Sequence, residues 1–345
     1  MDFNNIWNGW DDAENFSGMF SVSGEQGVIF EKFSGLRNRS ENLLINPDTA
    51  FGIASGTKMF TGLAICKLID HKRLSLRDRI WDLLPYDLGK IDKRVTVFHL
   101  LTHTSGIGDY IDEEADNDTQ QLQALYDQYP VYLWERLEYY LPMITPLTPK
   151  FEPGARFGYS NAGFVMLGLI IEAISGLTYQ QFMQYNIITP LGLTHTGFFR
   201  LDDLPANTAY GYIRDEKTQK LRSNIYCMPV IGGSDGGLFT SAKDIDRVWR
   251  ALCSNEILSE GMTISFLKPR VKMREADEDH GYYGLGVYVE KKADGNHVYY
   301  AVGGDFGVEF FTAYFPKQKI TASLLANNTE SKGFRLLNTI LNPSS

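Results

Sequence analysis

Apolar side chains repeat at strand spacing near both ends of the chain. Residues 18–23 and 27–33 alternate or run apolar over strand lengths and meet around Gly24, which predicts two strands joined by a turn. Further strands are predicted near the C-terminus at 282–290, 297–302, 309–314 and 321–326.

Helical spacing dominates the part of the chain between these strands. Residues 55–70 have a wide apolar face, which suits a helix at the centre of a domain. Residues 162–175 are strongly apolar and precede Gly176, at the position where glycine commonly ends a helix. Two more helices are predicted at 242–253 and 333–341. This order predicts one sheet assembled from both termini, with a helical insertion in the middle.

Composition narrows the classes of function. The 345 residues are 43% hydrophobic and 22% charged, as in a compact protein with a large core. A net charge of −9 argues against nucleic acid or anionic lipid as a partner. Three cysteines do not form a disulfide framework, and no stretch reaches the length of a membrane span. The first ten residues lack the pattern of a signal peptide, so we expect a cytoplasmic location.

A Ser-x-x-Lys pair stands at the start of the first predicted helix. Three residues apart on a helix, Ser55 and Lys58 share one face. A desolvated lysine has a lowered pKa and can take the proton of a serine hydroxyl. Taken alone, the pair fits an N-cap serine and a solvated lysine better, but its flanks are apolar.

A second polar group precedes the helix predicted at 162–175. A tyrosine near a lysine, here Tyr159, can act as a phenolate base or a proton shuttle. The amide of Asn161 can donate to a substrate carbonyl and hold the lysine. The structural alternatives are an aromatic core residue at 159 and a helix N-cap at 161.

A third group lies at the end of a predicted strand, where Gly303 and Gly304 follow Val302. Paired glycines let another backbone or a ligand approach closely. The edge of such a strand can offer an N–H to an oxyanion, together with the N–H of Ser55.

In this order, the three groups resemble those of the penicillin-binding protein and serine β-lactamase superfamily. Its class C β-lactamase, D-alanyl-D-alanine carboxypeptidase and family VIII esterase branch is the most similar. The resemblance covers roughly residues 15–340 and includes supporting segments at 99–106, 236–241 and 283–286.

The resemblance implies a β-lactamase/transpeptidase-like α+β fold with an antiparallel sheet flanked by helices. Residues 1–72 and 225–345 would form the sheet-containing subdomain and residues 73–224 a mainly helical one, with the active site between them. The loops predicted to line the substrate pockets lie at 109–120, 141–152 and 226–235.

The resemblance also assigns chemical roles. Ser55 would attack the carbonyl carbon of a small-molecule or peptide-like acyl substrate. Lys58 and Tyr159 would move the proton as general base and then general acid, and Asn161 would orient the substrate and the lysine. Water would then deacylate the enzyme. No cofactor or metal is implied, and the sequence is silent on oligomeric state.

In the same resemblance, the N–H groups of Ser55 and Asp305 would form the oxyanion hole beside Gly303 and Gly304. The third motif of β-lactamases and carboxypeptidases in this group begins with Lys or His, whereas Val302 stands here. A cation there would attract a substrate carboxylate. A motif that begins with valine resembles instead that of the esterase branch, where Trp-Gly-Gly can occur. It favours an ester or amide substrate without an obligatory carboxylate.

Several alternatives remain open. A slow acylatable penicillin-binding receptor, a D-amino-acid peptidase or an inactive scaffold would retain the same fold. The Gly-x-Ser-x-Gly segment at 232–236 predicts an α/β-hydrolase with Ser234 as nucleophile, preceded by a strand at 226–231. His99 and His103 have zinc-like spacing, but the glutamate of His-Glu-x-x-His is missing, which argues against a metal site.

Overall fold

The protein is described by a computed structural model that covers residues 1–113, 124–125, 128–215, 217–274, 281–330 and 332–342. Within these residues the strands, in chain order, are β1 (Gly18–Gly24), β2 (Gly27–Ser34), β3 (Leu36–Asn38), β4 (Leu43–Leu44), β5 (Phe51–Gly52), β6 (Tyr212–Arg214), β7 (Leu221–Ser223), β8 (Phe239–Thr240), β9 (Val271–Lys272), β10 (Gly281–Tyr283), β11 (Tyr288–Lys291), β12 (His297–Asp305), β13 (Val308–Phe315) and β14 (Ile320–Ala326).

The α-helices, in chain order, are α1 (Phe3–Asn8), α2 (Thr57–Asp70), α3 (Ile80–Leu83), α4 (Val97–Leu101), α5 (Leu141–Ile144), α6 (Asn161–Ser175), α7 (Tyr179–Met183), α8 (Thr189–Leu191), α9 (Ala242–Cys253), α10 (Glu260–Leu267) and α11 (Phe334–Leu341). Short 3-10 turns occur at Ala13–Asn15, Ala54–Gly56, Val131–Leu133 and Leu137–Tyr140, and a π-helical turn at Gln184–Ile188.

An eight-stranded antiparallel sheet in the order β2-β1-β14-β13-β12-β11-β10-β9 joins the two ends of the chain. The predicted α+β class and the sheet from both termini are therefore confirmed. The prediction of a single strand at 282–290 is wrong, because a turn at Gly286, with φ +114°, divides it into β10 and β11. The helix predicted at 55–70 is confirmed, preceded by the 3-10 turn Ala54–Gly56.

The two faces of the sheet bury different side chains. Met19 on β1 lies opposite Leu325, which in turn lies opposite Phe310 on β13, and these three join the core around α2. Phe20, the next residue of β1, points to the other face, as strand geometry requires. There α1 and α11 cover an apolar group that we call the outer cluster. Its buried members are Phe3, Trp10, Phe16, Phe20, Val22, Phe30, Val298, Phe311, Ala313, Phe315, Ala322, Leu324, Ala326, Leu336, Leu337, Ile340 and Leu341.

Helix α2 lies at the centre of the molecule, between the sheet and the apolar helix α6. Gly176 ends α6 with φ +73°, as predicted for a helix-terminating glycine. The described residues of 73–224 add no strand to the main sheet, and the division of the chain at residues 72 and 224 stays a prediction. Among the described helices none is singly long and apolar enough to cross a membrane, and one bent pair, Asn161–Ser175 with Tyr179–Leu191, meets that test only in combination.

Candidate active site

Ser55 sits in the 3-10 turn that leads into α2. The turn is held by the Gly56 N–H, which donates to the Ile53 carbonyl at 2.8 Å, and by the Thr57 hydroxyl, which donates to the Ala54 carbonyl at 2.7 Å. Ala54 has φ +43°, a left-handed conformation that costs a residue with a Cβ about 1–2 kcal/mol. The strained backbone turns the Ser55 side chain toward a cleft, where it is partly exposed.

Lys58 follows one helical turn later and is only 2% exposed. Its Nζ lies 2.9 Å from Ser55 Oγ, 2.7 Å from Asn161 Oδ1 and 2.6 Å from the carbonyl oxygen of Asp235. Burial lowers the pKa of the lysine, and the nearby carboxylates, Asp235 first among them, oppose that shift only in part.

The three neighbours of Lys58 can accept the three N–H groups of an ammonium, and they also suit the neutral amine that a base requires. A neutral amine has two N–H donors and one lone pair. The oxygens of Asn161 and the Asp235 carbonyl can only accept, so they take the two N–H groups. The Ser55 hydroxyl can donate, so its proton can point at the lone pair. This geometry makes Lys58 able to remove the proton of Ser55.

Tyr159 and Asn161 flank the N-terminus of α6. The helix is capped by Ser160, whose hydroxyl accepts from the Gly163 N–H at 3.0 Å, so the proposal that Asn161 is the N-cap is wrong. Because Ser160 takes the capping role, the amide of Asn161 is available to contact Lys58. Its Nδ2 donates to Glu113 Oε1 at 2.7 Å, which orients Oδ1 toward the lysine.

The Tyr159 hydroxyl is hydrogen-bonded to the Ser55 side chain, and Lys58 Nζ lies 5.0 Å from the centre of the Tyr159 ring. Burial raises the pKa of Tyr159 well above its usual value of 10, and the Glu113 carboxylate adds to the shift. The group next to the serine is therefore a phenol at neutral pH. A phenol can donate a proton, whereas the phenolate base considered from the sequence is disfavoured.

His103 packs behind Tyr159, and sequence reasoning missed this role. The two rings stack at 4.5 Å, and His103 Nδ1 accepts the Ser160 N–H at 3.0 Å. The imidazole is fully buried, and burial holds its pKa well below the usual value. His99 instead closes a capping box with Thr96. The spacing of His99 and His103 thus serves local structure. The sequence does not show which ring packs against residue 103, so it could not predict the stacking.

Strand β12 passes directly beside the nucleophile turn. A Cβ at Gly303 would lie 2.0 Å from the Ile53 carbonyl oxygen and 2.9 Å from the Ser55 nitrogen, so only glycine fits. Gly304 differs, because a Cβ there would meet nothing closer than 3.6 Å. Beyond residue 300 the strand is no longer paired with β11, and this edge packs against the turn at Ala54–Gly56.

Val302 and Asp305 lie on either side of these glycines. Val302 packs against the outer cluster and brings no cation to the strand. Asp305 Oδ1 accepts the Phe306 N–H at 2.7 Å. Burial raises the pKa of Asp305 to about 6, and the carboxylates of Asp235 and Glu113 contribute to that rise.

The cleft beside Ser55 has a volume of about 660 Å³. Of the predicted lining loops, the described part of 109–120 lines it through Tyr110, Ile111 and Glu113, and the remainder of that loop lies outside the described residues. The loop at 226–235 also lines it, but the stretch 141–152, all of it described, does not. The size and concave shape suit a small organic substrate.

The alternative nucleophile, Ser234, lies outside this chemistry. Its side chain is fully buried and its hydroxyl packs against Gly168, where a Cβ would lie only 2.2 Å away. The predicted strand at 226–231 is absent from these described residues, and the sheet is antiparallel rather than parallel. The α/β-hydrolase alternative is therefore wrong.

Comparisons with known proteins agree with the fold. The sequence profile of the Beta-lactamase family matches residues 8–342. A crystal structure of a penicillin binding protein from Bacillus halodurans is 37% identical, with a TM-score of 0.87 and 98% of each chain covered. Penicillin-binding protein 4* of Bacillus subtilis (strain 168) is 26% identical over 330 residues, which is 92% of this chain and 70% of the relative.

A D-stereospecific amidohydrolase from Streptomyces sp. superposes with a TM-score of 0.83 over 100% of both chains, at 21% identity, and this likeness shows the fold alone. The profile match spans nearly the whole chain and includes all three motif positions. The chain therefore belongs to the Beta-lactamase family.

Proposed function

We propose that this protein hydrolyses an ester or amide through an acyl-enzyme on Ser55, and that its substrate needs no carboxylate. Membership of the family makes the chain a serine hydrolase of the acyl-enzyme type. The observation that carries the assignment of residues is the buried Nζ of Lys58, which contacts Ser55 Oγ, Asn161 Oδ1 and the Asp235 carbonyl together.

In the first step, the lone pair of Lys58 takes the hydroxyl proton as Ser55 Oγ attacks the carbonyl carbon. The proton then passes through the Tyr159 phenol to the leaving group, and the bond between carbonyl carbon and leaving group breaks. The raised pKa of Tyr159 and the lowered pKa of Lys58 both support this division of labour.

In the tetrahedral intermediate the former carbonyl oxygen carries a negative charge, which hydrogen-bond donors must stabilise. We assign this role to the backbone N–H groups of Ser55 and Asp305. The close packing of Gly303 against the Ser55 nitrogen supports it, because that contact brings the strand edge to the nucleophile turn.

In the second step, water attacks the acyl-enzyme. Lys58, again neutral, accepts a proton from the water, and Ser55 leaves with a proton returned through the same groups. Asn161 holds the amine in position through both steps, since its own orientation is set by Glu113.

The absence of a cation at the third motif supports a substrate without a carboxylate. Val302 lines the cleft and also packs against the outer cluster, and the other described lining residues include no lysine, arginine or histidine. We also propose that the chain divides into two subdomains at residues 72 and 224. A cytoplasmic location is a further part of the proposal.

Intact-mass labelling tests the nucleophile. Wild type, Ser55→Ala and Ser234→Ala are each treated with a fluorophosphonate and with a penicillin. We expect one phosphonate per chain in wild type and in Ser234→Ala, none in Ser55→Ala, and little or no penicillin adduct. A label that persists in Ser55→Ala and maps to another serine would refute the assignment.

Turnover of a chromogenic ester separates an enzyme from a receptor that is acylated once. An enzyme releases many equivalents of chromophore per chain at a constant rate. A single burst of one equivalent would favour the receptor, for which the departure at Val302 is the supporting observation.

A further inference from the structure

Within the part of the chain that the structure describes, the charged side chains that line the cleft are all carboxylates. They are Glu113, Asp235 and Asp305, and they are joined by no cationic side chain among the described lining residues. Lys58 lies behind the nucleophile, 2% exposed, with its Nζ already in contact with three partners. An anionic group on a substrate would therefore meet like charge from these residues and no cationic side chain among the described lining residues.

Aromatic rings form much of the remaining wall of the cleft. They include Tyr110, Trp134, Tyr140, Tyr159, Tyr288 and Phe306. The face of an aromatic ring carries partial negative charge and attracts ammonium groups. This attraction does not depend on the carboxylates. The aromatic rings and the carboxylates therefore both favour a cation in the cleft.

Asp305 is placed close to the reacting centre. The backbone of Gly303 lies against the Ser55 nitrogen, and Asp305 follows two residues later on the same strand. Two residues of strand span about 6.6 Å, and side chains two residues apart on a strand point to the same face. Asp305 and Ser55 both line the cleft. Asp235, by comparison, already accepts a hydrogen bond from the Tyr110 hydroxyl.

We propose that the acyl group of the substrate carries a protonated amine, and that Asp305, supported by Asp235 and Glu113, binds it. This rests on the proposed function and deepens it. The proposed function requires only that a carboxylate is dispensable, whereas this inference assigns the substrate to the class of amine-bearing acyl esters or amides.

The test compares three alkyl fluorophosphonates of equal chain length, which end in an amine, a methyl group or a carboxylate. The second-order rate of Ser55 labelling is measured by intact mass for each. In wild type we expect the amine probe to react at least about tenfold faster than the carboxylate probe, with the methyl probe between them.

In Asp305→Asn, we expect the ratio of amine to carboxylate rates to fall several-fold, and the methyl probe measures how far the substitution changes the reactivity of Ser55 in general. Asparagine retains an oxygen for the Phe306 N–H, and circular dichroism of the variant shows whether the protein is folded. Asp294→Asn removes the same charge from an exposed turn, where the aspartate lies 3.6 Å from Lys317, and should leave all three rates unchanged.

The possible outcomes separate the two proposals. Equal rates for the three probes on Ser55 would overturn the amine assignment and leave the nucleophile intact. A ratio that falls as much in Asp294→Asn as in Asp305→Asn would overturn the role of Asp305, because long-range charge alone would explain it. No labelling of Ser55 by any probe would overturn the proposed function itself, and the amine assignment with it.

Discussion

The cleft side of the main sheet buries polar side chains, whereas the outer cluster on its other side is apolar. On the cleft side Lys58 and Asn161 are buried, and Ala54 and His103 hold positive φ angles. The outer cluster is apolar and rich in aromatic pairs, with the ring of Trp7, packed at its edge, 5.4 Å from that of Trp10. Buried polar groups and backbone strain usually cost stability, whereas apolar packing supplies it.

This difference predicts whether a mutation changes mainly the reaction rates or mainly the stability. Mutations on the cleft side should change the rates of labelling and hydrolysis more than the free energy of unfolding, except where they disturb tight backbone contacts. Changes in the outer cluster should alter stability and leave chemistry alone.

The largest effect should come from Lys58→Met, which removes the proposed base while nearly conserving length. We expect Ser55 labelling and ester hydrolysis to fall by about 10³-fold or more. Lys67→Met makes the same change nine residues further along α2, outside the cleft, and should keep rates within twofold of wild type. Labelling rates and circular dichroism are measured on both variants. Near-normal rates in Lys58→Met would show that another group removes the proton.

Gly303→Ala and Gly304→Ala form a matched pair on β12. The first places a methyl group 2.0 Å from the Ile53 carbonyl oxygen, so we expect a loss of about 3 kcal/mol in the free energy of unfolding and slow labelling of Ser55. The second meets only Phe334 at 3.6 Å and should change stability by less than about 0.5 kcal/mol. Urea denaturation measures both, and equal losses would contradict the close approach of β12 to the nucleophile turn.

His103→Phe should lower the free energy of unfolding by about 2 kcal/mol, because it leaves the buried Ser160 N–H without an acceptor. His103→Asn should be tolerated better, since asparagine supplies an acceptor and accepts φ near +55° more readily. Stability and ester turnover are measured for both variants. The reverse order of stability would refute the hydrogen bond as the reason for a histidine here.

The smallest effect should come from the outer cluster. Ile340→Val removes one methylene from a fully buried side chain of α11 and should cost about 0.5–1.5 kcal/mol in the free energy of unfolding. The rate of Ser55 labelling should stay within twofold of wild type. A large loss of labelling with a small loss of stability would show that the two sides of the sheet are coupled.

Periodicity in the sequence predicts the elements that depend on local spacing. The strands at 18–23 and 27–33 and the helices at 55–70 and 162–175 follow from which side chains face the core, so they could be read from one chain. The split between β10 and β11 could not, because the apolar run continues through a turn that Gly286 makes possible.

The candidate site was predictable only in part. Ser55 and Lys58 are three residues apart, and helix geometry alone brings them together. The Asp235 carbonyl lies 177 residues from Lys58 along the chain, and no local pattern marks a backbone oxygen as a partner. The positive φ of Ala54 was equally hidden, because alanine carries no signal for a left-handed conformation.

The central claim is that a buried, neutral Lys58 activates Ser55, and the pH dependence of Ser55 labelling by the uncharged fluorophosphonate tests it most directly. The neutral amine forms as pH rises through the pKa of the lysine. Burial lowers that pKa, so the labelling rate should rise to a plateau with a midpoint below 10.5, and the rise should vanish in Lys58→Met. A midpoint at or above 10.5, or the same titration in Lys58→Met, would contradict the claim.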